Sequence, residues 1–227
     1  MKKKTFSIKE ALSFGWDTFR ADLWFFLALM FGLFAVFSIL GALQSAAKGM
    51  HPLVFALINV ASLIVNILAG MGLIRVVLGF IHQKKPSIRE AFSFSTETFF
   101  PYVIGSFLYA LIVIAGMILL FIPGIVWGLK YQFFGYFLLD KKCEPKEALK
   151  RSAQITKGVK KKLFGFLIVL SILNIIGALL FGIGLLITIP VTLLSVGFIY
   201  NTLSLKNESA LALERVDTSA HPGVMAS

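Results

Sequence analysis

A single cysteine, Cys143, and three histidines, at 51, 82 and 221, are all that the chain holds of the residues that most often build metal and redox sites. One thiol excludes an intramolecular disulfide and any multi-cysteine metal site. The histidines fall on three separate segments, so the sequence offers neither a metal cluster nor a Ser-His-Asp arrangement. Neither a Walker-type nor a dinucleotide glycine loop occurs. No enzyme is therefore expected, and no cofactor. Charge is also scarce, at 15% of residues, with acidic side chains in the minority: 11 against 22 lysines and arginines.

What fills the chain is apolar. Of 227 residues, 58% are hydrophobic, 23 are Phe, and the mean hydropathy is +0.87. Soluble domains contain roughly 45–50% apolar residues, so this is a membrane composition. Charge-free runs of at least ~18 residues can cross a hydrocarbon core of about 30 Å as helices. One such run covers Leu23 to Ala47, and another runs from His51 to Ile74 and ends at Arg75. Between Glu97 and Asp140 the only charge is Lys130, and none lies between Lys162 and Lys206. Each of those last two stretches is long enough for two crossings. The sequence thus predicts an all-α polytopic protein with six transmembrane helices, at about 23–43, 53–74, 100–121, 124–139, 163–181 and 185–205.

Orientation follows from the cations, which concentrate in cytoplasmic loops. Six spans put the N-terminus, 75–98, 140–162 and the C-terminus on one side. All 11 acidic residues lie in those segments, and so do the cations, apart from Lys48 and the intramembrane Lys130. Both termini are expected in the cytoplasm, and the strong bias suits a bacterial plasma (inner) membrane. The start Met1-Lys2-Lys3-Lys4 looks like the head of a signal peptide. The apolar run after it is too long for one, so a retained anchor is expected.

A pentapeptide recurs at the starts of the charged segments: SIKEA from Ser7, SIREA from Ser87, and a worn copy, EPKEA, from Glu144. Ser followed three residues later by Glu, just before an apolar-periodic stretch, is a capping box. Ser7 with Glu10 and Ser87 with Glu90 fit it. In the third copy Glu144 caps more weakly, Pro145 takes the first helical position and Glu147 the reciprocal one. The helices begun by these copies are amphipathic, with stripes at Ile8, Leu12, Gly15, Trp16 and Phe19; at Ile88, Phe92, Ser95 and Phe99; and at Pro145, Leu149, Ser152 and Thr156. Aligning the copies superposes Gly15, Ser95 and Ser152. The chain therefore divides into three units, each an amphipathic helix plus a transmembrane hairpin, at about 7–81, 87–139 and 144–205. Together they make one membrane domain over 1–205, and 206–227 is expected to be a disordered cytoplasmic tail.

Pro123-Gly124-Ile125, Tyr131, Asp140, Glu147-Ala148-Leu149, Ser152, Thr156-Lys157-Gly158, Leu163-Phe164, Gly182-Ile183-Gly184, Pro190 and Tyr200 form a further pattern. In these residues the chain from Ile122 onward resembles a family of bacterial six-helix integral membrane proteins of unknown function. That family is similar in turn to the membrane domain fused ahead of some glycerophosphoryl diester phosphodiesterases. The resemblance implies a fold and a location but no activity. The phosphodiesterase domain is expected to be absent.

The candidate contacts are few. Lys157, Lys160, Lys161 and Lys162 close a basic run, from Lys141, that abuts a span at Leu163. No aromatic is interleaved as nucleic-acid stacking would require, so the run reads either as ordinary positive-inside topology or as a site whose expected partner is anionic lipid headgroups, at about 1 kcal/mol per basic residue near the surface. A cytoplasmic protein partner is the other. Lys130 lies inside a span, where an ionisable group is a functional candidate by default; it either snorkels toward the interface beside Trp127 and Tyr131 or contacts a headgroup or substrate. Arg75 reads as an interfacial anchor, and Asn59, Asn66 and Asn174 as interhelical amides. The leading expectation is a lipid-interacting or scaffolding membrane protein. Its rival is a small-solute transporter or channel lined by Lys130, Asn66 and Asn174.

Overall fold

The computed structural model describes residues 5–84, 86–180 and 182–220, the side chains of 214–220 excepted. The described elements are all helices: α1 (Ile8–Ala21), α2 (Leu23–Ala47), α3 (Pro52–Ile81), α4 (Ile88–Ala91), α5 (Thr96–Leu119), α6 (Phe121–Tyr131), α7 (Phe134–Lys141), α8 (Pro145–Ile155), α9 (Lys160–Leu179) and α10 (Leu185–Ala220). Five of them, α2, α3, α5, α9 and α10, are long and apolar enough to cross a membrane. The expected span at 124–139 is instead divided between α6 and α7, with a break at Gln132 and Phe133.

Antiparallel hairpins form where consecutive apolar helices meet a short turn: α2 with α3, α5 with α6, and α9 with α10. The second helices, α3, α7 and α10, come together in the middle. Gly197 of α10 lets this happen, since a Cβ there would collide with Val77 of α3 and sit 3.6 Å from Tyr136 of α7. The core has Val76, Val77, Phe133, Tyr136, Leu194, Ile199, Tyr200 and Leu203, each at most 5% exposed. The first helices lie outside. Each packs on its own hairpin partner and on an element of another hairpin: α2 on α10, α5 on α3 and α9 on α6. Gly124 and Gly128, spaced as a helix-packing motif, serve the α5–α6 hairpin: Gly124 meets Gly116 and Met117, and Tyr109 donates to the Gly128 carbonyl at 3.4 Å.

The three amphipathic segments sit at the charged end of this bundle. α1 lies on α10, α4 on α3, and α8 on α6 and α7. Their lengths differ for local reasons. At α1, Ser7 is extended and its Oγ accepts from the Glu10 N–H at 3.3 Å, so the first turn has a side-chain cap. Ser87 holds the corresponding position but makes no capping bond, and α4 is one turn rather than the helix expected through Phe99. Two residues of α3 account for this shortening: the Phe92 ring closes onto Gly72, and Arg75 takes the carbonyls of Ala91 and Ser93. Glu144 likewise makes no capping bond, and Glu147, rather than reaching back, pairs with Arg151 one turn on.

Beyond Leu205 the backbone of α10 stays helical to Ala220. Contacts hold the first turn of that stretch: the Lys206 ammonium donates to the Thr5 carbonyl, and Glu208 lies 3.1 Å from Lys141. Met1 to Lys4 and 221–227, which the anchor and tail expectations included, lie outside the described residues.

α1 approaches the backbone of α10 closely at Gly15. A Cβ at Gly15 would stand 2.6 Å from the Val191 carbonyl, a backbone atom that cannot swing aside. Gly15→Ala should therefore destabilise the protein by about 1–3 kcal/mol through overpacking. Gly32→Ala, where a Cβ meets nothing within 4 Å, should be neutral or stabilising by up to about 1 kcal/mol. Thermal unfolding of the two variants in detergent checks the contrast; equal melting temperatures would show that the crossing is not tight.

Candidate functional site

A helix that breaks inside a dry bundle exposes backbone groups that need partners. Between α6 and α7 those groups are the Lys130 carbonyl and the Phe133 N–H. Ser152 of α8 serves both, accepting from Phe133 N–H at 3.1 Å and donating to the Lys130 oxygen at 3.0 Å. Thr156, one turn along, has its Oγ1 3.1 Å from the same oxygen, and Gln132 donates to the Leu129 carbonyl at 3.1 Å. Ser152 and Thr156 are fully buried. Side chains of α8 thus stand in for the helix bonds that the break removes, and the Ser-x3-Thr spacing puts both hydroxyls on one face.

Lys130, the residue at the break, directs its side chain elsewhere. It is half-buried, with its ammonium 4.7 Å from the centre of the Tyr131 ring. The other two residues of the expected solute path are engaged within their own helices or hairpin. Asn66 donates to the Ser62 carbonyl at 2.8 Å, and Asn174 donates to Leu170 O and Thr192 Oγ1, both at 2.9 Å. The three lie on α6, α3 and α9, and no contact joins them among the described residues. A pocket between α2, α3 and α10 is apolar and holds only about 10 Å³, too little for a solute.

Arg75 does more than anchor an interface. Its Nη1 reaches Ser93 O at 2.7 Å and Ala91 O at 3.3 Å, and its Nη2 reaches Thr98 Oγ1 at 2.7 Å. The guanidinium holds the kinked connection between α4 and α5, as Ser152 and Thr156 hold the one between α6 and α7.

A second polar network joins the three inner helices at the charged end. Tyr200 of α10, 1% exposed, donates to Asp140 Oδ2 of α7 at 2.7 Å. His82, which ends α3, has Nε2 3.5 Å from Asp140 Oδ1. Lys141 completes the chain, 3.8 Å from Asp140 and 3.1 Å from Glu208. The Tyr200 ring stacks on Tyr136 at 5.0 Å and meets Phe137 edge-on at 5.0 Å. Close by, burial raises the Cys143 thiol above its usual range, which disfavours the reactive thiolate.

The expected headgroup lysines lie together at the start of α9. Lys157 precedes the turn at Gly158, whose φ of +85° suits a glycine. Lys160, Lys161 and Lys162 form the first turn of the helix, with Lys157, Lys161 and Lys162 exposed. Lys162 lies 5.2 Å over the Phe6 ring, so part of the cluster rests on the segment ahead of α1.

One feature escaped sequence reasoning. A groove of about 500 Å³ separates α8 from the far end of α10. Glu147, Lys150, Arg151 and Gln154 line one wall, and Ser204, Asn207, Glu208 and Leu211 the other. Both sets have the i, i+3, i+4, i+7 spacing of a single helix face. Arg151 contacts Glu147 through Nε at 2.8 Å and through Nη2, and these bonds raise its pKa. The α10 wall was hidden because the helix was expected to end at Leu205.

Large apolar side chains cover the outside of the bundle: Phe34 is 68% exposed, Ile118 81% and Leu179 77%. Patches of this extent need a hydrocarbon surrounding. Together with five crossing-length helices, they define an α-helical, multi-pass membrane protein. No family model, curated protein or solved structure matches the chain.

Two substitutions test the polar contacts. Ser152→Ala leaves the Phe133 N–H unpaired in a dry site, so it should cost about 1–3 kcal/mol and speed hydrogen exchange at that amide; unchanged exchange would show that Ser152 is not its partner. Tyr200→Phe removes a donor from a carboxylate and should cost about 1.5–3 kcal/mol. A double-mutant cycle with Asp140→Asn should return a clear coupling energy for the pair, and additive losses would show that the two side chains do not interact.

Proposed function

We propose that this chain is a non-enzymatic protein of the bacterial plasma membrane that holds anionic lipid headgroups on a basic cytoplasmic face, and scaffolds that face for a partner protein. The observation that carries this reading is the location of Lys157, Lys160, Lys161 and Lys162. They gather at the N-terminal end of a crossing-length helix, where an aqueous interface begins, with three of the four exposed. Each contributes about 1 kcal/mol toward an anionic surface.

The topology proposed with it has six crossings and cytoplasmic termini. α6 and α7 together run from Phe121 to Lys141, about 30 Å at 1.5 Å per residue, so the pair serves as one broken crossing. The distribution of charge supports the orientation. A threefold repeat is supported by the order of contacts. Each amphipathic helix rests on the second membrane segment of the preceding unit, α4 on α3 and α8 on α6–α7, and α1 closes the ring on α10. The resemblance from Ile122 onward agrees with this architecture.

Native mass spectrometry of protein released from nanodiscs of mixed lipids tests the headgroup reading. Wild type should retain phosphatidylglycerol or cardiolipin over phosphatidylcholine. Changing Lys160, Lys161 and Lys162 to Gln should remove that preference, a loss of up to ~3 kcal/mol at ~1 kcal/mol per residue. Equal retention of all lipids by wild type would reduce the lysines to topology signals.

A further inference from the structure

The groove between α8 and α10 involves none of the lysines at the start of α9, so a ligand there is independent of the headgroup reading. Its volume of about 500 Å³ falls within the roughly 300–1,000 Å³ of small-ligand sites. The walls carry both signs of charge. Arg151 spends Nε and Nη2 on a single oxygen of Glu147, Oε1. The Nη1 end of the guanidinium therefore points out of that pair, and Glu147 Oε2 is left outside it. Lys150 adds an ammonium on the same wall, while Glu208, whose side chain is 49% exposed, faces it from α10.

A simple anion would answer Lys150 and Arg151 alone and leave Glu147 and Glu208 with only the cations they already hold, Arg151 and Lys141; a simple cation would leave Lys150 and the Nη1 end of Arg151 unanswered. A zwitterion with its charges a few bonds apart answers both walls. On the anionic end, a guanidinium edge plus a separate ammonium suits the several oxygens of a phosphate better than a carboxylate, which one Arg fork saturates. On the cationic end, a primary ammonium donates hydrogen bonds to Glu208 and to Glu147 Oε2. A quaternary one has no N–H to give.

We propose that the groove binds a phosphoethanolamine group, with Lys150 and Arg151 on the phosphate and Glu208 and Glu147 on the ammonium. The group arrives either as the headgroup of a membrane lipid or as a free soluble molecule.

Full-length protein in nanodiscs distinguishes these sources. In phosphatidylglycerol nanodiscs, calorimetric titration should show phosphoethanolamine binding at least ~10-fold more tightly than inorganic phosphate or phosphocholine. Arg151→Gln and Glu208→Gln should each weaken it by roughly 10-fold, the loss of one charge-assisted contact. In mixed nanodiscs, native mass spectrometry should show phosphatidylethanolamine retained over phosphatidylglycerol, and the preference lost in Glu208→Gln. Success in the first arm assigns the soluble source, and success in the second alone assigns the lipid. Failure of both overturns the site. So does wild-type binding that treats phosphate, phosphocholine and phosphoethanolamine alike, or binding that the variants leave unchanged. Because Arg151 and Glu147 form an exposed one-turn pair, its loss should leave the fold intact. Lys150→Gln, which breaks no ion pair among the described residues, provides a second variant if Arg151→Gln melts early.

Discussion

Every turn or break that buries backbone in this bundle must find partners for the N–H and C=O groups it frees, because no water is there to take them. The rest of the fold follows from how that is met. Between α6 and α7, Ser152 of α8 meets both freed groups; between α4 and α5, where the Ser93 contact is exposed, Arg75 of α3 adds a guanidinium to the turn. The amphipathic helices are therefore more than rafts at an interface. α8 completes the helix on which it rests, and this fixes its rotation, since only the face bearing Ser152 and Thr156 can turn inward. Once it is so turned, Glu147, Lys150, Arg151 and Gln154 must face outward, toward the extension of α10.

The same positions in the three amphipathic segments are used for different physical ends. Gly15 provides the absence of a side chain, so that α1 can approach the α10 backbone. Ser152 provides a hydroxyl where the partner has a gap in its hydrogen bonding. Ser95 is the N-cap residue of α5, without a side-chain capping bond. A small residue is what all three share, and at Gly15 and Ser152 it lies where the backbone of another helix comes close.

The crossing helices were legible in the sequence because their signal is additive: some twenty apolar residues cannot be mistaken for anything else. The breaks were not. Nothing in Lys130-Tyr131-Gln132-Phe133 is a helix breaker of the glycine or proline kind. The partners of the freed groups sit some twenty residues away in Ser152 and Thr156, which read as ordinary members of an amphipathic stripe. Their polarity on the buried face was the available signal. The Ser87 segment misled for a related reason: capping propensity is local, and the Phe92 and Arg75 contacts that end α4 are tertiary. The lysines at the start of α9 were legible, whereas the groove depended on a helix running past the last apolar residue, where hydropathy is silent.

Asp140 shows why the two halves of the molecule's charged end belong together. Its carboxylate is 10% exposed and would be costly to hold there alone. Tyr200, His82 and Lys141 share it, drawn from all three inner helices, so the ends of α3, α7 and α10 cannot separate without stranding a buried charge. Lys141 then continues the chain to Glu208, in the wall of the groove. A ligand ammonium at Glu208 would compete with Lys141 for that carboxylate. Lys141 would turn back toward Asp140, tightening the clamp on the inner helices. On the proposed binding, the groove and the clamp would be linked through Lys141, a side chain that reaches both Asp140 and Glu208.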